Sequence, residues 1–90
     1  MKTIQIIVKG KVQGVFFRQS AKEKAIELGL TGTVQNTSDG HVQITVTGDL
    51  KPLTIFTSWC RVGPPRAIVT KVMKEDVPLQ SFANFSVIRL

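Results

Sequence analysis

The sequence predicts an α+β domain, an antiparallel sheet carrying two helices on one face, in the chain order β-α-β-β-α-β with a short closing strand. Three observations carry that expectation. Apolar and polar residues alternate singly in several separate stretches, which is the period of strands with one buried face. Two other stretches repeat apolar residues every three to four positions, which is the period of helices. The helical stretches also fall between the strand-like ones in split βαβ order.

Ile4, Ile6 and Val8 alternate with Thr3, Gln5 and Lys9 to make the first strand. Over residues 19–28 the spacing of Ala21, Ala25 and Leu28 lays an apolar stripe along a helix. Lys22, Glu23 and Glu27 face water, and Gly29 supplies the stop. Residues 31–37 and 41–47 flank Ser38-Asp39-Gly40, and Asp-Gly between alternating segments is a strong hairpin signal. The second helix starts where Asp49 can cap and Pro52 is tolerable in a first turn. Leu53, Phe56 and Cys60 then repeat at helical spacing until Gly63-Pro64-Pro65 ends it. Residues 67–73 are β-branched and apolar enough for a fourth strand, 76–84 form a loop, and 85–90 alternate as a short fifth strand.

With 90 residues, 42% of them hydrophobic, the chain is expected to be one globular domain over 1–90 with a single core. No apolar run approaches a bilayer span and the N-terminus lacks the pattern of a signal peptide, so a soluble, cytoplasmic protein without membrane contact is expected. Cys60 is the only cysteine, which excludes an internal disulfide and a cysteine-built metal site. Twelve Lys and Arg against six Asp and Glu give a net charge of +6 and a pI near 10.0, a field that favours anionic partners without naming them. The cations are spread along the chain and not gathered in one run, which weakens the case for a dedicated nucleic-acid arm.

The chemistry concentrates in residues 12–18, Val12-Gln13-Gly14-Val15-Phe16-Phe17-Arg18, a glycine-containing loop that leaves the first strand and enters a helix. Backbone N–H groups of such a loop, together with the unpaired N–H groups of a helix start, converge on an anion. A guanidinium is planar and can hold two phosphate oxygens at once, so Arg18 reads as the cap of a phosphate cradle. Phe16 and Phe17 read as packing that anchors the loop, and Gln13 as acting through its backbone. Gly10 and Gly14 suit turn positions with positive φ, and Arg18 at a helix start is mildly unfavourable unless an anion is bound.

The remaining inventory is short. His41 reads as an exposed turn residue, Cys60 as a small core hydrophobe, and Trp59 as packing. Glu23, Glu27, Asp49, Glu75 and Asp76 are scattered over helix surfaces, a cap and a loop, with no pair set for acid–base work. Asn36, near the end of the second strand, comes close to the cradle if the first two strands are sheet neighbours. A carboxamide can orient a water while touching a phosphoryl oxygen, but it is no strong base. Such a site suits only good leaving groups, with the phosphate itself taking the proton of the incoming water; acyl phosphates qualify and poor-leaving monoesters do not.

Residues 8–18, Val8-Lys9-Gly10-Lys11-Val12-Gln13-Gly14-Val15-Phe16-Phe17-Arg18, resemble the first signature of the acylphosphatases. Gly32-Thr33-Val34-Gln35-Asn36, then Gly40-His41-Val42 and Gly48, resemble the second, and Gly63-Pro64-Pro65-Arg66-Ala67 with Phe82 and Phe85 extend the likeness over essentially the whole chain. The resemblance implies a ferredoxin-like sandwich and metal-independent hydrolysis of carboxyl-phosphate bonds with no cofactor. It implies that Arg18 and the backbone amides of Gln13, Gly14, Val15, Phe16, Phe17 and Arg18 bind the phosphoryl group, and that Asn36 positions the attacking water. The implied partner is a small acyl phosphate, and a monomer is expected. Thr33 departs from the pattern where an aromatic residue is usual, which touches packing or the substrate rim. Two other readings stay open on architecture: an RNA-binding module, which lacks here the aromatic residues on its central strands, and a non-catalytic phosphate-binding domain.

Overall fold

Alternation in the sequence becomes a two-sided sheet. The computed structural model describes residues 1–89, with β1 (Lys2–Lys11), α1 (Phe17–Glu27), β2 (Thr31–Asn36), β3 (Val42–Gly48), α2 (Leu50–Cys60), β4 (Ile68–Val77) and β5 (Phe85–Ile88). The expected fold class holds. Ile4, Ile6 and Val8 of β1, Val34 of β2, and Val42, Ile44 and Val46 of β3 share one face and are buried there against Ala21 and Ala25 of α1 and Leu53, Phe56 and Cys60 of α2. Helix α1 lies over β2 and β5, and α2 over β3 and β1.

The strand order is β4-β1-β3-β2-β5, and here two expectations need correction. The sheet is mixed, because β5 runs parallel to β2 while every other pairing is antiparallel. The chain leaves β4 at one edge and enters β5 at the other, and periodicity reports a strand without reporting its neighbour. For the same reason β1 and β2 are not neighbours, since β3 lies between them.

Element ends differ too. Helix α1 starts at Phe17, two residues before the expected Gln19. Strand β4 continues to Val77, so Glu75 and Asp76 belong to a strand and not to a loop. Its charged residues depress β-propensity, yet β1 supplies pairing partners down to Thr3, and an edge position keeps the charges hydrated, with Lys2 Nζ 3.1 Å from the Asp76 carboxylate. Asp49 precedes α2 without a side-chain cap; its carboxylate meets the α-amino group of Met1 at 3.6 Å instead. Residue 90, expected to end the fifth strand, lies outside the described residues.

The seven-residue connection from β4 to β5 passes the far end of β1 and β3 and is tied there. Gln80 N–H donates to Thr3 Oγ1 at 2.8 Å, the Thr3 and Thr47 hydroxyls meet at 2.6 Å, and Thr47 Oγ1 donates to the Gln80 carbonyl at 2.9 Å.

Candidate active site

The loop of residues 12–16 leaves the end of β1 opposite to the Gln80 tie. A bulge between Lys9 and Gly10 turns the strand end. Gly10, with φ 129°, runs so close to β4 that an added Cβ would lie 2.1 Å from the Ile68 carbonyl oxygen, so only glycine fits. Gly14 follows at φ 74°.

Phe16 is the one described non-glycine residue at positive φ, at 64° with ψ 26°, and it immediately precedes α1. For an L-residue this left-handed conformation costs roughly 1–2 kcal/mol. Followed by helical Phe17, it aims successive N–H groups into one concavity, the arrangement that binds anions. The first helical bond runs from Ser20 N–H to the Phe16 carbonyl at 3.0 Å, so the amides of Phe17, Arg18 and Gln19 have no partner within the helix. No side chain caps them and no acidic residue stands in the first turn. The helix start thus has no cap from its own side chains.

The two phenylalanines divide. Phe17 is buried, its ring 5.4 Å from that of Trp59, and anchors the loop as expected. Phe16 does not: it is 75% exposed and lines the depression in front of the loop. The αL turn between them is what sends consecutive side chains to opposite environments.

Arg18 and Asn36 line that same depression, of about 290 Å³, with Val12, Gly14, Gln19 and Arg89. Asn36 shares the parity of Val34 on β2 and so projects on the side of the sheet that carries the helices. The hydrogen bonds of this corner are made by Gln13, Thr37, Asp39 and His41, and among the described residues none engages the Asn36 carboxamide.

With β3 intervening, another residue must bring the loop to the end of β2, and that residue is Gln13. Its Nε2 donates to the carbonyls of Thr37 and His41, both at 2.9 Å, and these two residues close the mouth of the β2–β3 hairpin. Gln13 therefore acts through its side chain as well as its backbone, a correction to the expectation. No local pattern announces this, because the partners lie 24 and 28 residues away.

His41 is not an exposed turn residue either. Its side chain is 25% accessible, Nδ1 is buried without a partner, and Nε2 stands 4.0 Å from Asp39. Asp39 itself accepts a hydrogen bond from the Thr37 hydroxyl, which holds its carboxyl below the usual carboxylate range, with the nearby imidazole adding a smaller effect in the same direction. Cys60 lies in the core, where burial pushes its thiol far above the usual range and removes it as a nucleophile. No group of three or more His, Cys, Asp or Glu among the described residues is placed to hold a metal.

Residues 4–87 match the family model described as acylphosphatase. The chain belongs to the acylphosphatase family. A curated acylphosphatase of Methylococcus capsulatus is 44% identical, over 99% of this chain and 98% of its own length. Two solved acylphosphatases share the fold. That of Bacillus subtilis has TM-score 0.95 at 33% identity, covering 99% of this chain and all of the other. That of Coxiella burnetii has TM-score 0.94 at 42% identity, covering 97% and 92%. The fold is the ferredoxin-like one of these acylphosphatases, and the family's reaction is hydrolysis of acyl phosphates. Thr33 pairs with Thr45 and Ser86 and has the parity opposite to Asn36, so it stands on the open face of the sheet, away from the depression.

Proposed function

We propose that this chain hydrolyses acyl phosphates at the depression before α1, with the phosphoryl group seated on loop and helix amides under Arg18 and with Asn36 orienting the attacking water. The observation that carries the reading is an uncapped helix start, held in a left-handed turn by Phe16, opening onto the same depression as Arg18 and Asn36. Water attacks phosphorus in line as the bond to the acyl oxygen breaks. The carboxylate leaves with that electron pair, and a phosphoryl oxygen takes the water proton, so no protein base is required. Negative charge spread over the equatorial oxygens meets donors already in place, and a preorganised donor of this kind lowers the barrier by about 3 kcal/mol.

The open face of the sheet gives no support to RNA binding, because its central positions include Gln5, Ile7, Thr33, Gln35, Gln43 and Thr45, with no ring on which a base could stack. The reading includes a monomer in the cytoplasm, to be checked by sedimentation and cell fractionation.

The test is hydrolysis of benzoyl phosphate in the presence of a chelator, with p-nitrophenyl phosphate alongside. Turnover of the acyl phosphate alone is expected, and a metal requirement or preference for the monoester overturns the reading. Arg18→Ala abolishes turnover and phosphate binding, and Arg18→Lys restores neither, because a point charge does not replace the two-pronged donor. A lysine variant as active as the parent removes the clamp.

A further inference from the structure

We propose that Arg89 forms a second, outer anion subsite, which makes the enzyme prefer acyl phosphates whose acyl portion carries another negative group. The inference rests on the phosphoryl seat described above and goes beyond it to the other end of the substrate. Arg89 directly follows β5. Since Gln35 pairs with Ile88 in the parallel β2–β5 ladder, the register brings Arg89 level with Asn36. It lines the depression of the loop. It also lines a second one, of about 470 Å³, together with Arg18, Asn36, Thr37, Ser38 and Ile88. The two depressions meet at Arg18, Asn36 and Arg89.

Substrate bound in the first depression thus has a continuation edged by a second guanidinium and by the hydroxyl-bearing Thr37 and Ser38. Among the described residues no carboxylate lines either depression, and the ion pairs formed all lie elsewhere. The nearest acid in sequence, Asp39, is exposed, accepts a hydrogen bond from the Thr37 hydroxyl and stands 4.0 Å from His41 Nε2. A guanidinium exposed at a cavity mouth, with no acidic partner among the described residues, binds a carboxylate or phosphate with charge-assisted, two-pronged geometry. Arg89 stands where the two depressions meet, within reach of a group carried on the acyl portion.

The experiment compares benzoyl phosphate with its 3-carboxy and 4-carboxy derivatives, which differ from it only in the second charge. For the unmodified chain, KM for the better of the two carboxylated substrates is expected below that of benzoyl phosphate. Arg89→Gln raises that KM about tenfold relative to any change for benzoyl phosphate, and Arg89→Glu places benzoyl phosphate first. Lys51→Gln, the same loss of charge on α2 at the far end of the sheet, keeps the preference. No preference in the unmodified chain overturns the subsite, as does a preference that survives Arg89→Gln, an equal loss on all three substrates, or erasure by Lys51→Gln. Absence of turnover on all three substrates is a different result, which refutes the phosphoryl seat and the subsite with it.

Discussion

The two ends of strands β1 and β3 treat polar groups in opposite ways. At one end the Thr3 and Thr47 hydroxyls are buried, and with the Gln80 peptide they form a closed ring: Gln80 N–H to Thr3, Thr3 to Thr47, Thr47 back to the Gln80 carbonyl. Every donor there meets an acceptor inside the protein, and the product is stability. At the other end the uncapped helix start of Phe17, Arg18 and Gln19, the guanidinium groups of Arg18 and Arg89 and the carboxamide of Asn36 line a depression, and Phe16 beside them sits in a costly conformation. Their unused capacity is what a ligand can employ. A binding site in so small a domain is a place where the hydrogen bonding that completes the fold elsewhere has been withheld.

The largest test of that contrast within the open end, after Arg18, is Asn36→Ala. Among the described residues nothing hydrogen-bonds the carboxamide, so its removal is expected to leave the Tm in place. It lowers kcat by about 10²–10³, the loss expected for one preorganised polar contact, with phosphate affinity kept. Steady-state kinetics beside a thermal melt decides it, and an unchanged kcat or a fallen Tm breaks the comparison.

Thr47→Val at the closed end reverses the pattern. It removes the Thr47 hydroxyl from between Thr3 and the Gln80 carbonyl and leaves Thr3 Oγ1 only the 3.5 Å contact to that carbonyl, which costs about 0.5–1.5 kcal/mol, while kcat on benzoyl phosphate stays at the parent value. Denaturant unfolding measures the first quantity. A variant of parental stability would show that the ring merely decorates the strap.

Much of this contrast was legible in the sequence, and the reasons for the remainder are physical. Local periodicity reveals which residues are inside, so Ala21, Ala25, Leu53, Phe56 and Cys60 follow directly from spacing. The loop and Arg18 are legible because the residues that line this part of the depression are consecutive in the chain. Asn36 is placed correctly, but through the wrong adjacency, since β3 separates its strand from β1. What joins the two parts is the Gln13 side chain reaching the carbonyls of Thr37 and His41, a long-range contact with no local signature. Arg89 belongs to the same class. Only the parallel register of β5 on β2 puts it beside Asn36, and parallel pairing across a crossing connection leaves no mark in a window of ten residues. Phe16 looks like core by composition and is turned outward by its own φ.

That φ supplies the smallest and most discriminating test. Phe16 is 75% exposed, so truncating it removes little packing. Glycine adopts the left-handed region freely and recovers roughly 1–2 kcal/mol of strain, but its freer unfolded chain takes back about 0.5–1 kcal/mol. Phe16→Gly is therefore expected to raise stability by about 0.5 kcal/mol, which moves the Tm of a 90-residue domain up by roughly 2–4 °C. The amides that the turn aims lose the restraint that fixed them, so kcat falls while the Arg18 charge still attracts phosphate. A stabilised, slower enzyme means that strain at residue 16 is held in the fold for the sake of geometry at the anion seat. A destabilised one means that the exposed ring supports the loop from outside, and the left-handed turn is then incidental to the chemistry.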